Sequence, residues 1–241
     1  KHKLQYRVIM NNNTNNFEIV IDTSTPKSLI ALLKDKQLLS KCEWESKNNE
    51  SKTLLPNLNS LLKKHKLNIQ TCSKIFVVIG PGGFSSLRIG VSTAKGLSII
   101  LGIPLIPIPS LLSSALEFIS DKNKVMSIIE CSKGTFYSKV FNNYDDINYK
   151  NQKEYISFEI ITAKDITNFS KKKNSLIISG NSNIKSNEYI QLNKLQNLIS
   201  LTANKIQSII QIEEKYESLF NNLETISINP VYAKSGQISS A

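Results

Sequence analysis

The stretch that most restricts what this chain can fold into is FVVIGPGGFSSLRIGVSTAKGLSII, running from Phe76 to Ile100. An apolar run of strand length passes through a glycine-rich turn directly into a long helical pattern, an arrangement at home in α/β domains. Gly80, Gly82 and Gly83 permit positive φ angles and close backbone approach, and Ser85 or Ser86 is expected to cap the helix. Free N–H groups at such a helix start attract anions by default. A tight turn that packs without any ligand accounts for the same glycines, and the loop alone does not separate the two readings.

Named phosphate and nucleophile motifs fail here. A Walker A loop needs Gly-Lys-Ser/Thr five residues after Gly80, a dinucleotide fingerprint needs glycine where Ser85 stands, and a nucleophile elbow needs glycine at Leu87. His2 and His65 are the two histidines and lie far apart, so neither an HxxxH metal pair nor a Ser-His-Asp grouping is available. No catalytic and no metal-ligating residue is therefore expected. Asp22, at the end of the apolar run Phe17 to Ile21, is the best single candidate for a metal-water or phosphate role. Its plainer role is to cap the turn that Thr23, Ser24 and Thr25 make.

Around the glycine loop the chain alternates strands and helices. Phe17 to Ile21 and Ser28 to Leu33 read as two strands joined by a tight turn. Leu54, Leu58, Leu61, Leu62 and Leu67 fall near helical spacing over Thr53 to Lys66, Ile75 to Ile79 is an apolar strand, and Ser86 to Leu101 is a helix ending at Gly102. Pro104, Pro107 and Pro109 exclude regular helix and are read as the crossover to a second domain. There the opening plan returns: Val125 to Ile129 is apolar, Glu130 is acidic, CSKGT turns, and Phe136 to Phe141 is strand-like, so Asp22 and Glu130 hold equivalent places. Ser175 to Ser179 is read as a further strand, and Leu198 to Leu219 as one long helix or a helical pair. The division expected is a flexible lead-in over 1–16, a first domain over 17–107 and a second over 108–241. The C-terminal helix and tail of the second are expected to pack back on the first.

Composition narrows the class. With 30 Lys and Arg against 19 Asp and Glu the net charge is +11, yet only Arg7 and Arg88 are arginine. Lysine spread along the whole chain gives non-specific attraction to polyanions more readily than a reading surface. Cys42, Cys72 and Cys131 form no CxxC pair, which points to a reducing compartment without a disulfide framework. No run reaches the roughly 20 apolar residues of a membrane helix, so no membrane association is expected. The nine residues before Met10 are basic but lack the apolar core of a secretory signal. Upstream sequence, a transit remnant and an artefact of expression remain open for them, and the location expected is cytoplasmic, or an organelle's stroma or matrix.

On the helix after the glycine loop, Leu87, Gly90, Val91, Ala94, Leu97 and Leu101 form one stripe, shallow at Gly90 and Ala94. Packing on its own sheet explains the stripe; contact with a partner helix explains it too. Arg88 lies off the stripe, in a chain that uses lysine nearly everywhere.

Taken together, IDTST at Ile21 to Thr25, LLP at Leu54 to Pro56, GPGGFSSLRIGVSTAKGL at Gly80 to Leu97, GIPL at Gly102 to Leu105 and PVYAK at Pro230 to Lys234 resemble TsaB, the YeaZ-like threonylcarbamoyladenosine biosynthesis family. Their order and spacing agree from about Phe17 to Lys234. The resemblance implies an α/β, actin-like ATPase fold (sugar kinase, Hsp70 and actin class) of two similar mixed-sheet domains. It makes Asp22, Thr23, Ser24 and Thr25 a vestigial phosphate loop and implies a non-catalytic paralogue of the catalytic subunit TsaD. The partner interface it implies lies on the helices carrying Leu54, Leu58, Leu61, Leu87, Arg88, Gly90, Val91, Ala94 and Leu97.

The implied role is a scaffold that acts with a TsaD-like subunit and a TsaE-like ATPase. The complex transfers a threonylcarbamoyl group to the adenosine next to the tRNA anticodon, and this chain meets tRNA through the complex. The resemblance implies no cofactor of its own, ATP and magnesium being used by the partner subunits, and allows a homodimer when the chain is alone. The chain departs from the family pattern at Glu50, where members often have His, and at Glu130, where they often have Asp. A stand-alone actin-like ATPase or small-molecule kinase is the alternative. The family's older peptidase label finds no nucleophile paired with a base.

Overall fold

The computed structural model describes residues 16–46, 49–120, 124–132, 134–143, 147, 152–172, 176–180, 198–200, 206, 209–210 and 228–231. The expected lead-in therefore lies outside the described residues apart from Asn16. Among the described residues ten strands form two five-stranded sheets. The first contains β1 (Phe17–Asp22), β2 (Lys27–Lys34), β3 (Gln37–Glu45), β4 (Cys72–Gly80) and β5 (Leu105–Pro109), in the order β3-β2-β1-β4-β5. Its helices are α1 (Glu50–Lys64) and α2 (Phe84–Leu101), and α3 (Ser110–Ala115) follows β5. The second sheet contains β6 (Lys124–Ser132), β7 (Thr135–Phe141), β8 (Glu159–Thr162), β9 (Leu176–Gly180) and β10 (Leu198–Ser200), in the order β10-β9-β6-β7-β8. α4 (Gln152–Tyr155) and α5 (Ala163–Lys172) flank β8.

The two sheets repeat one topology. β1 pairs antiparallel with β2 and parallel with β4; β6 pairs antiparallel with β7 and parallel with β9. β3 and β8 extend the antiparallel side, β5 and β10 the parallel side. The echo between Phe17–Leu33 and Val125–Phe141 is thus one half of a duplicated unit, and this is the mixed-sheet, actin-like arrangement.

Because β1, β2, β4 and β5 of the first sheet are covered on both faces, these strands are apolar nearly throughout. Ile19, Ile21, Ile30, Ile75 and Val77 face a cluster closed by Leu54, Leu58, Leu61 and Leu62 of α1 and Val91 and Ala94 of α2. Val20, Ala31 and Phe76, one residue out of phase, face the opposite cluster, which takes in Leu112 and Ala115 of α3, Val125 and Phe141 of the second sheet, and Ile206, Ile209 and Ile210. The period of two thus sorts each strand between the helices on one side and the second half on the other. Truncating one such leucine to alanine costs about 2–5 kcal/mol.

Three expectations need correction. Gln37–Glu45, which the expected strands leave out, is the edge strand β3, whose side chains are exposed or half-buried and so lack an apolar signature. The Pro104–Pro109 stretch is not a bare crossover: β5 pairs with β4 as an edge strand, where proline is tolerated, and the first sheet runs to Pro109. Leu198–Ser200 is strand, not helix. Ile206, Ile209 and Ile210 are helical, while the remainder of the expected helix lies outside the described residues, as does Ser175 of the strand now given as Leu176–Gly180.

Candidate functional site

The turn after β1 is closed upon itself. Asp22 Oδ1 accepts from the Ser24 N–H at 2.8 Å and from the Ser24 hydroxyl at 2.6 Å, the local bonding that favours aspartate in turns. Thr23 Oγ1 donates to the Ser86 carbonyl at 2.8 Å in the first turn of α2, and Thr25 Oγ1 donates to the Lys27 carbonyl at 2.9 Å. Asp22, Thr23 and Ser24 are each 1 % exposed. A phosphate loop needs N–H and hydroxyl donors aimed into an open cleft. Here the Thr23, Ser24 and Thr25 hydroxyls already bond to protein.

The glycine loop is the lid on that turn. Gly83 N–H donates to the Ser24 carbonyl at 3.0 Å. A Cβ at Gly82 would lie 2.2 Å from that same carbonyl oxygen, and one at Gly90 would lie 2.2 Å from Thr23 Oγ1. Gly80 has φ +105°, and a Cβ there would meet Leu87 and the Val231 carbonyl. Pro81 follows through a cis peptide, with its carbonyl accepting from the Ser110 hydroxyl. Val231 N–H donates to the Ile79 carbonyl at 2.7 Å, and Lys95 Nζ to the Ile228 carbonyl at 2.8 Å, so residues 228–231 lie against the loop and α2. The expected serine cap is absent: Gly83 is the N-cap, Ser85 is exposed, and Ser86 is buried inside the first turn.

A buried polar cluster that the sequence reading passed over joins the two helix starts. Glu50, the first residue of α1, is fully buried. Its Oε1 accepts from the Ser46 and Ser28 hydroxyls, and Ser46 Oγ lies 2.9 Å from Ser86 Oγ. One carboxylate thereby ties β2, the end of β3, α1 and α2 together. A glutamate beside a lone serine carries no motif, so only the tertiary arrangement exposes this role.

The residues expected at a partner interface need the main correction. Leu54, Leu58, Leu61, Leu87, Gly90, Val91 and Ala94 are buried in the chain's own core, and Leu97 is half-buried against it. The shallow stripe at Gly90 and Ala94 accommodates Thr23 and the first sheet, not a foreign helix. Arg88 alone of that set is exposed, its guanidinium 5.3 Å from the Phe84 ring centre. The outer side of the helices instead carries Leu55, Phe84, Ile99 and Ile100, the last 79 % exposed. A cleft of ≈ 510 Å³ opens there, lined by Ser51 of α1 and by Phe84, Ser85, Arg88 and Ser92 among the residues of α2.

In the second half the equivalent turn differs. Glu130 is half-buried opposite Phe136, while Ser132 Oγ and Cys131 Sγ lie 2.7 and 3.2 Å from Thr135 Oγ1. Desolvation, with a smaller contribution from Cys131, raises the Tyr137 phenol above its ordinary pKa. Among the described residues no three His, Cys, Asp or Glu side chains converge as a metal site, and no helix is long and apolar enough to cross a membrane.

Against this geometry the comparisons are specific. Residues 45–137 match the family model described as TsaD: tRNA N6-adenosine threonylcarbamoyltransferase. The tRNA threonylcarbamoyladenosine biosynthesis protein TsaB of Bacillus subtilis is 32% identical over 123 residues, 51% of this chain and 54% of that protein. The TsaB protein of Buchnera aphidicola subsp. Baizongia pistaciae matches similarly, at 31% over 55% of its length, so the chain spans about half the length of these curated relatives. The TsaB protein of Buchnera aphidicola subsp. Acyrthosiphon pisum is 26% identical over 86% of this chain and 96% of its own. YeaZ from Pseudomonas aeruginosa superposes with a TM-score of 0.61 at 16% identity, over 90% of this chain and all of that one, which establishes the shared fold. With IDTST closed beneath GPGGFSSLRIG and a duplicated mixed sheet, the chain is similar in sequence to proteins of the TsaB (YeaZ-like) family and shares the YeaZ fold.

Proposed function

We propose that this chain is a non-catalytic subunit of the machinery that makes threonylcarbamoyladenosine in tRNA, working in the cytoplasm or an organelle's stroma or matrix. The observation that carries the non-catalytic reading is the closure of the turn after β1. The actin-like topology would bring a nucleotide's phosphates to Asp22–Thr25, yet those residues are at most 7 % exposed and hydrogen-bonded within the protein. What such a chain offers a reaction is surface. The outer side of α1 and α2, with Leu55, Phe84, Arg88 and Ile100 in the open, is the face we assign to a TsaD-like catalytic subunit. On this reading ATP and magnesium are used by the TsaD-like and TsaE-like partners, no cofactor belongs to this chain, and tRNA is met through the complex.

The test is reconstitution from the same organism: TsaD-like and TsaE-like proteins, tRNA transcript, threonine, bicarbonate and ATP, with an enzyme that supplies threonylcarbamoyl-adenylate. Modified adenosine should form only when this chain is present, and the chain alone should not turn over ATP with magnesium. Modification that proceeds equally without it removes the scaffold role. Turnover of ATP by the chain alone would instead favour a stand-alone ATPase or kinase.

A further inference from the structure

One end of the first sheet gathers lysines that no described acid neutralises. Glu50 holds the start of α1 beside Ser28 of β2 and Ser46 beyond β3, so α1, rising about 1.5 Å per residue, runs alongside β2 and ends level with the β2–β3 hairpin. The chain then enters β4, whose Lys74 lies opposite Glu18 of β1, itself opposite Leu33 near the end of β2. Lys34 and Lys36 of the hairpin and Lys63, Lys64 and Lys66 of the helix end therefore share one edge of the molecule, Lys34 half-buried and the others exposed. The acids within this end are Glu18, engaged by Lys74, and Asp35. Elsewhere on the first sheet and its helices, Lys27 and Lys41 pair with Glu43, and Lys95 bonds the Ile228 carbonyl. None of the lysines gathered at the edge joins an ion pair or cation–π contact among the described residues.

The backbone carries a second, independent mark. Lys34 pairs with Gln37 across a two-residue loop, and Asp35 and Lys36 stand at φ 52° and 59°, the left-handed turn that favours glycine in its second place. α1 ends in the same way. Lys66 N–H donates to the Lys63 carbonyl at 3.1 Å and Leu67 N–H to the Leu62 carbonyl at 2.9 Å, a helix stop whose left-handed residue is usually glycine, yet Lys66 stands there at φ 53°. Asp35, Lys36 and Lys66 are the non-glycine residues with positive φ among the described residues, and all lie at this end. Both turns thus keep a lysine where glycine would relax the backbone, and strain retained in this way marks a side chain kept for use.

We infer that this end of the first sheet binds the phosphate backbone of RNA, its lysines answering phosphates without reading bases. The inference rests on the place of this chain in the tRNA-modifying machinery and adds a direct contact to the tRNA met there. Ammonium groups are point charges suited to backbone contact, and base reading would call on arginine, which this end lacks. A lipid surface is the poorer fit: Leu67 and Ile69 pack against the core, leaving Leu38 and Leu39 of the hairpin as the large apolar groups in the open.

The experiment measures binding of a tRNA transcript to the full chain by fluorescence anisotropy between low and moderate salt, with melting temperatures taken in parallel. K36G/K66G is compared with wild type, with K63Q/K64Q, and with K164Q/K171Q, which removes the same charge from exposed positions on α5. The K36G/K66G chain should melt higher than wild type while binding tRNA several-fold more weakly, and the slope of log affinity against log salt should fall by about one for each lysine lost. K63Q/K64Q should weaken binding to a similar extent, and the α5 pair should leave affinity within about twofold, since exposed charges beyond a Debye length are screened. An equal loss from the α5 pair means that overall charge suffices and overturns the inference. So does a K36G/K66G chain that melts lower, which makes those lysines structural, or a wild-type chain that binds no tRNA. Tighter binding to phosphatidylserine vesicles than to tRNA, lost in K36G/K66G, overturns it in favour of a lipid surface. In each case the assignment of the chain to tRNA modification stands as long as modified adenosine still requires it in the reconstituted reaction, and falls if it does not.

Discussion

The duplicated unit lets one turn be compared with its own copy. After β1, Asp22 to Thr25 are buried, their hydroxyls bonded inward, and Gly82, Gly83 and Gly90 press backbone and helix against them. After β6, the described residues from Glu130 to Thr135 are half-buried or exposed, and the Cys131, Ser132 and Thr135 side chains bond within the turn itself. The topology is common to both; the covering is not. What closes the first turn is the glycine loop that launches α2, together with residues 228–231 behind it, and the described part of the second half shows no such lid. A turn of this fold is thus made into a structural joint by what is laid over it, not by its own residues.

The largest expected break in that comparison is Gly82→Ala. Its Cβ would fall 2.2 Å from the Ser24 carbonyl oxygen and 2.9 Å from the Ser24 carbonyl carbon, so backbone must move. We expect a loss of about 3 kcal/mol, read as a lower denaturant midpoint. The matched change in the second half is Gly134→Ala. Gly134 has φ +77°, which a non-glycine residue adopts at a cost of about 1 kcal/mol. Equal losses would mean that the first turn is no more tightly covered than the second.

Asp22→Ala comes next. It leaves the buried N–H and hydroxyl of Ser24 without their acceptor, at a cost of about 2–3 kcal/mol. Ser132→Ala, its exposed counterpart, should stay within about 0.5 kcal/mol. Nucleotide binding sharpens the same contrast: if ATP raised the melting temperature of wild type and D22A abolished the rise, the turn would be open in solution and the contrast between the halves lost.

Much of this arrangement was legible in the sequence, and what was not has a physical reason. Apolar runs such as Ile75–Ile79 announce strands covered on both faces. The recurrence of strand, acid, turn and strand announced the duplication. β3 escaped because an exposed edge strand has little apolar signal, and β5 because proline reads as a breaker unless one knows the strand lies at an edge. The stripe from Leu87 to Ala94 was legible as an apolar face and assigned to a partner helix, because periodicity cannot name what covers it. The first sheet does, so a charge placed at Ala94, 0 % exposed, reports on folding and not on partner binding. Closure of Asp22–Thr25 was illegible for the same reason: Gly82 and Gly90 lie some 60 residues from the groups they cover. The Glu50 cluster likewise needs four elements brought together.

The smallest effect concerns the Cys72 thiol, and it probes by pH how tightly the first half is closed. Cys72 begins β4 and is 4 % exposed, and burial pushes its thiol from 9.0 up to about 12. Cys131, in the open turn, is half-buried. The folded chain holds the Cys72 proton after the unfolded chain has released it, so this contribution is fully present below about pH 9 and is lost as pH rises towards 12. The slope is about 1.4 kcal/mol per pH unit, which makes the loss about 1.4 kcal/mol at pH 10. Other groups titrate in that range, so the quantity to measure is the difference between wild type and Cys72→Ala, by urea unfolding at pH 7, 9 and 10. That difference should be constant up to pH 9 and shrink by pH 10, because the alanine variant has no thiol to ionise when unfolded. A Cys72 difference that does not shrink would mean the β4 end opens to water, and with it the edge of the core on which α1 and α2 rest.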